Sequence, residues 1–329
     1  MGCKMDLSLL LPDARLLLLA VTLDLFLGDP VYRLHPIRLL GALLTLAEGR
    51  LRAFGADGRL GGCFLFVILL ALWVGPLLVA VVLVGQAHWM LAAAAHLFTL
   101  YSLIALGDLL KHGDAVDAAV HAGDACAARA AVAQLASRDT KRLDAHACRR
   151  TAVESLAENL VDGFMSPVLW YILAGLPGII VFKLASTMDS MVGYKSPEYL
   201  RFGWFGARSD DLLNLIPARL CYLFLAGMAF LLPGCSGIKA ARVGWQQHAI
   251  VPGPNAGWSE AAMAGAMQRR LAGPIWVGDD LVTTAWLGDP SDAAAGTGSD
   301  YRKARQALMA TAFAFTSISA AFLMITSGA

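Results

Sequence analysis

Hydrophobic and polar positions alternate in long blocks along this chain. The runs Leu7–Leu27, Gly61–Val84, Ala87–Leu106 and Gln306–Ile325 are each close to the ~20 residues that a helix needs to cross hydrocarbon. They predict four membrane spans. The first is imperfect, being interrupted by Pro12, Asp13 and Arg15 and closed by Asp24. With no basic n-region and no A-x-A site, it reads as a retained segment. The second and third are separated by so little that they predict a tight hairpin. Two further runs are broken: Phe164–Ala185 by Pro167 and by Gly175-Leu-Pro-Gly178, and Leu212–Leu232 by Pro217 and Arg219. Each predicts a kinked or re-entrant segment. Between the runs, Gly107–Gly163 is alanine-rich with scattered charge and predicts a soluble helical insert. Gly237–Arg305 is amphipathic and basic. It contains a turn at Pro254–Glu260 leading into a small-residue helix, Ala261–Arg270, and a polar linker from Asp289. Gly296-Thr-Gly298 in that linker is a weak phosphate-loop signal, because no strand precedes it.

Composition moves the argument into lipid. At 57% hydrophobic and 16% charged residues, with mean hydropathy +0.60, the chain is too apolar for a soluble domain of this length. The expectation is an all-α, polytopic membrane protein forming one embedded domain over residues 1–329. A net charge of +1 gives no electrostatic footprint for nucleic acid. Cys3, Cys63, Cys126, Cys148, Cys221 and Cys235 show no CxxC spacing and predict buried free thiols. Arg50, Arg52 and Arg59 in one loop, and Lys111, Arg129, Arg138, Lys141, Arg142, Arg149 and Arg150 in the insert, place both on the cytoplasmic side of an inner membrane.

Candidate chemistry clusters between Arg150 and Arg219. Arg150, Glu154, Glu158 and Asp162 recur every four residues, so one cation and three carboxylates share a helical stripe beside Ser155 and Asn159. Three such acids repel unless a cation or substrate lies among them; otherwise they form a solvated stripe of ion pairs. Oxygen ligands of this kind suit Mg²⁺, with Glu158, Asp162 and Asp211 as the metal set. Asp189, Asp210 and Asp211 add acids, Asn214 converges with the last two, and Lys195, Arg208 and Arg219 offer phosphate or carboxylate contacts. The plain alternative is a juxtamembrane loop of ordinary ion pairs. Asp29, His35, Asn255, Trp258 and Glu260 complete the candidates. His88 and His96 sit in an apolar run, where packing against a neighbour competes with a metal or proton role.

The segments GDPVYRLHPIRLLG, RDTKRLDAHACRRTAVESLAENLVDG, KLASTMDSMVGYKSPEYLRFGWFGARSDDLLNLIPARL and PGPNAGWSEAAMAGAM carry a resemblance. Over Leu23–Met267 the chain resembles the cobalamin biosynthesis family called CobD or CbiB, adenosylcobinamide-phosphate synthase. The resemblance implies ATP-dependent amide formation between aminopropanol, or aminopropanol phosphate, and a propionate of adenosylcobyric acid. It also implies ATP and Mg²⁺ as cofactors and other cobalamin-assembly proteins as partners. Such chemistry needs Mg²⁺ on phosphates, cations for the transferring group and a base for the ammonium. No GxxxxGK[ST] is present, so a nucleotide site would be of another kind. A reading from a different class is an ion-coupled secondary transporter, which uses broken helices and membrane-level acids but also internal repeats, and no repeat is visible. A purely structural subunit leaves the charged motifs unexplained.

Topology holds a conflict. If every apolar run crosses once, Ser186–Asp211 faces outward, away from the cytoplasmic acids and from ATP. The expected resolution is that Phe164–Ala185 turns back at Gly175-Leu-Pro-Gly178 and Leu212–Leu232 also returns, leaving four full crossings.

Overall fold

The computed structural model of the chain describes residues 7–29, 32–136, 139–277 and 280–326. Cys3, Pro30 of the first motif and Arg138 of the insert lie outside the described residues. The helices in chain order are α1 (Ala14–Leu27), α2 (Pro36–Ala53), α3 (Arg59–Leu69), α4 (Gly75–Ala87), α5 (Trp89–Tyr101), α6 (Leu106–His121) and α7 (Ala125–Val132). There follow α8 (Ala145–Leu160), α9 (Ser166–Val192), α10 (Trp204–Leu213), α11 (Leu215–Ala229), α12 (Gly237–Gln247), α13 (Ala256–Met267) and α14 (Gly298–Thr326). Short π-helical turns, Leu70–Val74 and Val161–Met165, join α3 to α4 and α8 to α9. Four helical stretches are long and apolar enough to cross a bilayer: Arg59–Ala87, Trp89–His121, Ala145–Val192 and Gly298–Thr326. The α10–α11 pair, taken together, would make a fifth.

Two compact units emerge. The first comprises the described residues up to Ala105, with Ser166–Asn214 and the chain from Thr316. Its opening run differs from the expected straight span. Leu7–Leu10 is a 3-10 turn, and α1 starts afresh after Asp13, whose carboxylate caps it by accepting from the Leu16 N–H. Pro12 lacks the N–H that continuation requires. Fourteen residues rise about 21 Å, short of the ~30 Å hydrocarbon core. The α4–α5 hairpin forms as expected around His88, which ends α4 and accepts from the Met90 N–H at the start of α5.

Helix α9 carries the break that the Pro-Gly signal predicts. Ala174 (φ −142°, ψ 15°) and Gly175 (φ 63°, ψ −150°) leave helical geometry, and a methyl on Gly178 would collide with the carbonyl of Trp170. In an unbroken helix those two residues would lie about 12 Å apart along the axis, so the chain doubles back here. Polar contacts hold the turn from below. The Tyr171 hydroxyl accepts from the Asp13 N–H at 2.8 Å and meets His96 Nε2 at 2.9 Å. His96 Nδ1 lies 2.9 Å from the Leu9 carbonyl, which can only accept. A neutral ring here carries its proton at Nδ1 and leaves Nε2 to accept from the Tyr171 hydroxyl, which also lies 3.3 Å from the Asp13 carbonyl. Buried at 3% exposure, His96 serves packing, which was the plainer of its two readings.

The second unit comprises Leu106–Met165 and Leu215–Phe315. Helix α13 is buried along nearly its whole length because it is built from Ala, Gly, Ser and Met. A methyl on its Gly265 would strike the Lys239 backbone of α12, so the two helices pack closely. The unit also holds two small antiparallel pairs within the stretch read as amphipathic and basic, where the all-α expectation foresaw no strands. β1 (Leu271–Ala272) pairs with β4 (Trp286–Leu287), and β2 (Ile275–Val277) with β3 (Asp280–Thr283). Val, Ile, Thr and Trp around Gly273-Pro274 supply the strand propensity.

The polar linker is tied down. Lys239 pairs with Asp292 at 3.0 Å, Arg242 with Asp289 at 2.9 Å, and the Gln247 amide bonds Gly288 in both directions. The Ser291 hydroxyl and N–H, with help from Arg242, hold the Asp289 carboxyl below its usual range. The Gly296-Thr-Gly298 amides also have their anion already. Gly296 and Thr297 donate to Asp300 Oδ2, whose other oxygen accepts from Arg269.

Candidate functional site

Within the first unit, α10 lies against the end of α9 because glycines face it. A methyl on Gly203 would collide with the Val192 carbonyl, and one on Gly206 would come within 3.0 Å of Met188. This approach brings Asp210 and Asp211 near Asp189, close enough for the three carboxylates to repel one another, with Lys183 offsetting part of that repulsion. Asn214, 1% exposed, ends α10. Its Oδ1 accepts from Ser166 Oγ at 2.5 Å, which turns its Nδ2 toward Asp210 Oδ2 at 2.9 Å. The other oxygen, Asp210 Oδ1, is buried and has no hydrogen-bond partner among the described residues.

A buried carboxylate oxygen without a donor is costly, and three mutually repelling acids add to that cost. A hard cation such as Mg²⁺ relieves both, and it needs only one or two carboxylates with water and substrate oxygens completing its shell. Among the described residues no three His, Cys, Asp or Glu side chains converge to hold a metal by themselves. The donor set therefore fits an ion shared with substrate.

Lys183 also lines a cavity of about 420 Å³ together with Asp29, His35, Arg38 and Ser102. His35 caps α2: its Nδ1 accepts from the Ile37 N–H, and its Nε2 lies 2.8 Å from Asp29 Oδ1. Pro36 at the first helical position favours this start. His35 is buried while the Asp29 side chain is 38% exposed, so the imidazole orients and the carboxylate faces the cavity. The Ser102 hydroxyl is buried without a hydrogen-bond partner among the described residues. One acid, two cations and a hydroxyl thus share a concave surface suited to a zwitterionic or phosphorylated ligand. Sequence reading found Asp29 and His35 but missed Lys183, hidden in an apolar run, and Ser102 and Ser166, which carry no pattern of their own. The signal for Lys183 was its charge inside an otherwise uncharged run. In the same unit Lys195 is exposed, and Arg208, 67% exposed, pairs with Asp211 at 3.3 Å.

In the second unit the acidic stripe separates into three environments. Glu154 is buried, accepts from the Ala272 N–H at 2.8 Å and lies 3.9 Å from Arg150. Arg150 in turn donates to the Ala272 carbonyl and covers the Trp286 ring. Glu154 and Arg150 thereby anchor β1 to α8. Glu158 is exposed, Asn159 donates to the Ser155 carbonyl, and Asp162, in the π turn, lies near Cys221. Arg219 donates to Asn255 Oδ1 at 2.9 Å and its guanidinium covers the Trp258 ring at 4.9 Å. Trp258 is 6% exposed and is stacked by His248 at 3.8 Å beside Tyr222 and Trp245. The Trp258 ring, a candidate binding residue by sequence, is packed by its own neighbours. Glu260 is buried on the same helix. Cys63, Cys126, Cys148, Cys221 and Cys235 are all free thiols; Cys148 and Cys221 are buried and Cys126 is exposed.

Comparison with known proteins places this arrangement in context. Residues 17–308 match the family model described as CobD/Cbib protein. The chain is 38% identical over 321 residues to the cobalamin biosynthesis protein CobD of Pelobacter propionicus, covering 96% of this chain and 97% of that protein. It is 39% identical over 272 residues to the CobD protein of Sinorhizobium fredii, covering 78% and 81%. With the cobalamin biosynthesis protein CbiB of Salmonella arizonae it shares 32% identity over 274 residues, covering 82% and 86%. No solved structure matches the chain.

Proposed function

This chain belongs to the CobD/CbiB protein family, and we propose from that premise that it is a membrane-embedded enzyme of cobalamin biosynthesis. Its reaction is ATP-dependent amide formation between aminopropanol, or aminopropanol phosphate, and a propionate of adenosylcobyric acid. A carboxylate does not condense with an amine in water at a useful rate, so its oxygen first attacks the terminal phosphorus of ATP and ADP leaves. A base takes a proton from the ammonium, the free amine attacks the carbonyl carbon of the acyl phosphate, and inorganic phosphate leaves with a second proton of the nitrogen.

The observation that carries the assignment of roles is the cavity where Asp29, Arg38, Ser102 and Lys183 converge. Asp29, oriented by His35, receives the ammonium and then its proton. Arg38 and Lys183 hold the anionic phosphate or carboxylate, with the Ser102 hydroxyl as a further donor. Asp210 and Asp189 would hold Mg²⁺, and Asn214 fixes the Asp210 carboxylate toward it. When bound, Mg²⁺ neutralises charge on the phosphates and positions the transferring group. In the second unit the exposed Glu158 and half-buried Asp162 remain proposed nucleotide-side acids. The site works on the cytoplasmic face of the inner membrane, where ATP is available, and neighbouring cobalamin-assembly proteins deliver or take up the corrinoid.

The decisive experiment is the mass of the product formed by detergent-purified protein from adenosylcobyric acid, ATP and each amine in turn. An adduct of corrin and amine lighter by one water supports the reading. Its absence with active substrates overturns it. A transporter would need a sealed compartment and would leave both substrates unchanged.

A further inference from the structure

We propose that the recess between α2 and α3 is a site for the headgroup of an anionic phospholipid whose acyl chain lies along α3. The sequence AFGADGRLGG makes the recess. Gly55 turns the chain at φ 77° after α2, and α3 then starts at Arg59 behind Gly58, which offers no side-chain cap. The recess encloses about 810 Å³, with Arg59 and Arg201 among its walls and Leu60 and Phe64 at its rim.

Charge gives the first half of the argument. Arg52 nearby is neutralised by Glu48 at 2.8 Å and Asp57 at 3.5 Å, whereas neither Arg59 nor Arg201 is paired with an acid among the described residues. Both are exposed. Two unneutralised guanidinium groups in one concavity match a phosphodiester, which their forked donors hold in bidentate fashion. The first-turn N–H groups of α3 add to the same positive end.

Depth gives the second half. Arg59 begins the apolar stretch Arg59–Ala87, of which only 28% of the most hydrophobic window is buried inside the protein. Most of that helix faces lipid, and its charged first residue marks the polar boundary. The Arg59 guanidinium covers the Trp204 ring at 4.9 Å, and tryptophan is enriched at that boundary. From the recess, Leu60, Phe64 and Val67 follow at i, i+4 and i+7 and are 73%, 56% and 58% exposed. Such spacing puts them on one helical face, a track for one acyl chain. Free phosphate would use the arginines and not the track. A zwitterionic lipid would use the track while presenting its own cation to the arginines.

Native mass spectrometry of the full chain in neutral detergent, with phosphatidylglycerol, phosphatidylcholine and glycerol 3-phosphate as probes, tests this. Phosphatidylglycerol should be retained at least about fivefold better than phosphatidylcholine, and the double variant R59Q/R201Q should remove that preference. Both residues are exposed, so the fold should persist, and size-exclusion chromatography verifies it. If the double variant aggregates, Arg201→Gln alone should weaken the preference. Equal retention of the two lipids overturns the proposal, as does a preference unchanged in the variants. Displacement of the lipid by millimolar glycerol 3-phosphate would assign the recess to soluble phosphate and overturn it equally.

Discussion

Asn214 Nδ2 donates to Asp210 Oδ2 at 2.9 Å, and Ser166 Oγ fixes the same amide from its other side at 2.5 Å. The carboxylate is thereby held with one oxygen occupied and the other, buried, without a hydrogen-bond partner among the described residues. Removing the amide should matter only through Asp210. Asn214→Ala should lower product formation about 100-fold, near 2.7 kcal/mol of transition-state stabilisation. Asp210→Asn should cost as much, and the double variant no more than Asp210→Asn alone. Additive losses in single-turnover assays would make Asn214 an independent contributor.

Asp29 faces the cavity and His35 orients it. Asp29→Asn should depress turnover about 100-fold with little change in KM for the corrin, since a uniformly bound substrate loses no binding when only the proton acceptor is removed. His35→Ala should produce a smaller rate loss together with about 1 kcal/mol of destabilisation from the lost helix cap. A rate equal to wild type for Asp29→Asn would return the pair to a capping role.

Glu154 and Glu158 read alike in sequence but stand in different surroundings. Glu154→Ala should leave the Ala272 N–H without its acceptor, remove the carboxylate beside Arg150 and lower stability by about 1–3 kcal/mol, seen as a fall in thermal midpoint. Glu158→Gln, on an exposed side chain, should leave the midpoint unchanged and reduce product formation more than about tenfold. Retention of more than a tenth of activity would make Glu158 part of a solvated face.

Gly175 combines φ 63° with close contact to the Leu10 backbone, so Gly175→Ala meets both strain and collision. A cost of roughly 1–3 kcal/mol is expected from the backbone alone, with a lower thermal midpoint in detergent. A midpoint within error of wild type would show that the turn relaxes freely.

The doubled-back α9 makes a topological prediction. Single cysteines at Ser196 and Ser209, in a background without native cysteines, should resist an impermeant thiol reagent on intact cells and react once the cells are lysed. Labelling from outside would mean that this region crosses the membrane and that Asp189 and Asp210 face away from ATP.

Apolar run length alone determined the helical, membrane-spanning character of the chain, since only helices satisfy their backbone within hydrocarbon. The Gly175-Leu-Pro-Gly178 break and the small-residue α13 were equally legible, because Gly and Pro act on local backbone geometry. Asp189, Asp210 and Asn214 could be named as candidates, but nothing in their spacing told that Ser166, 48 residues away, would orient the amide. Lys183 was legible only as a charge inside an apolar run; that it meets a cavity was not, because such a run does not mark which of its faces does. Glu154 and Glu158, one turn apart, share a periodicity and differ in burial: the backbone of Ala272, 118 residues on, meets the buried Glu154, whereas Glu158 is exposed. Spacing along a helix fixes which residues share a face. Burial, partner and charge state depend on distant segments that meet that face, and those only the folded chain decides.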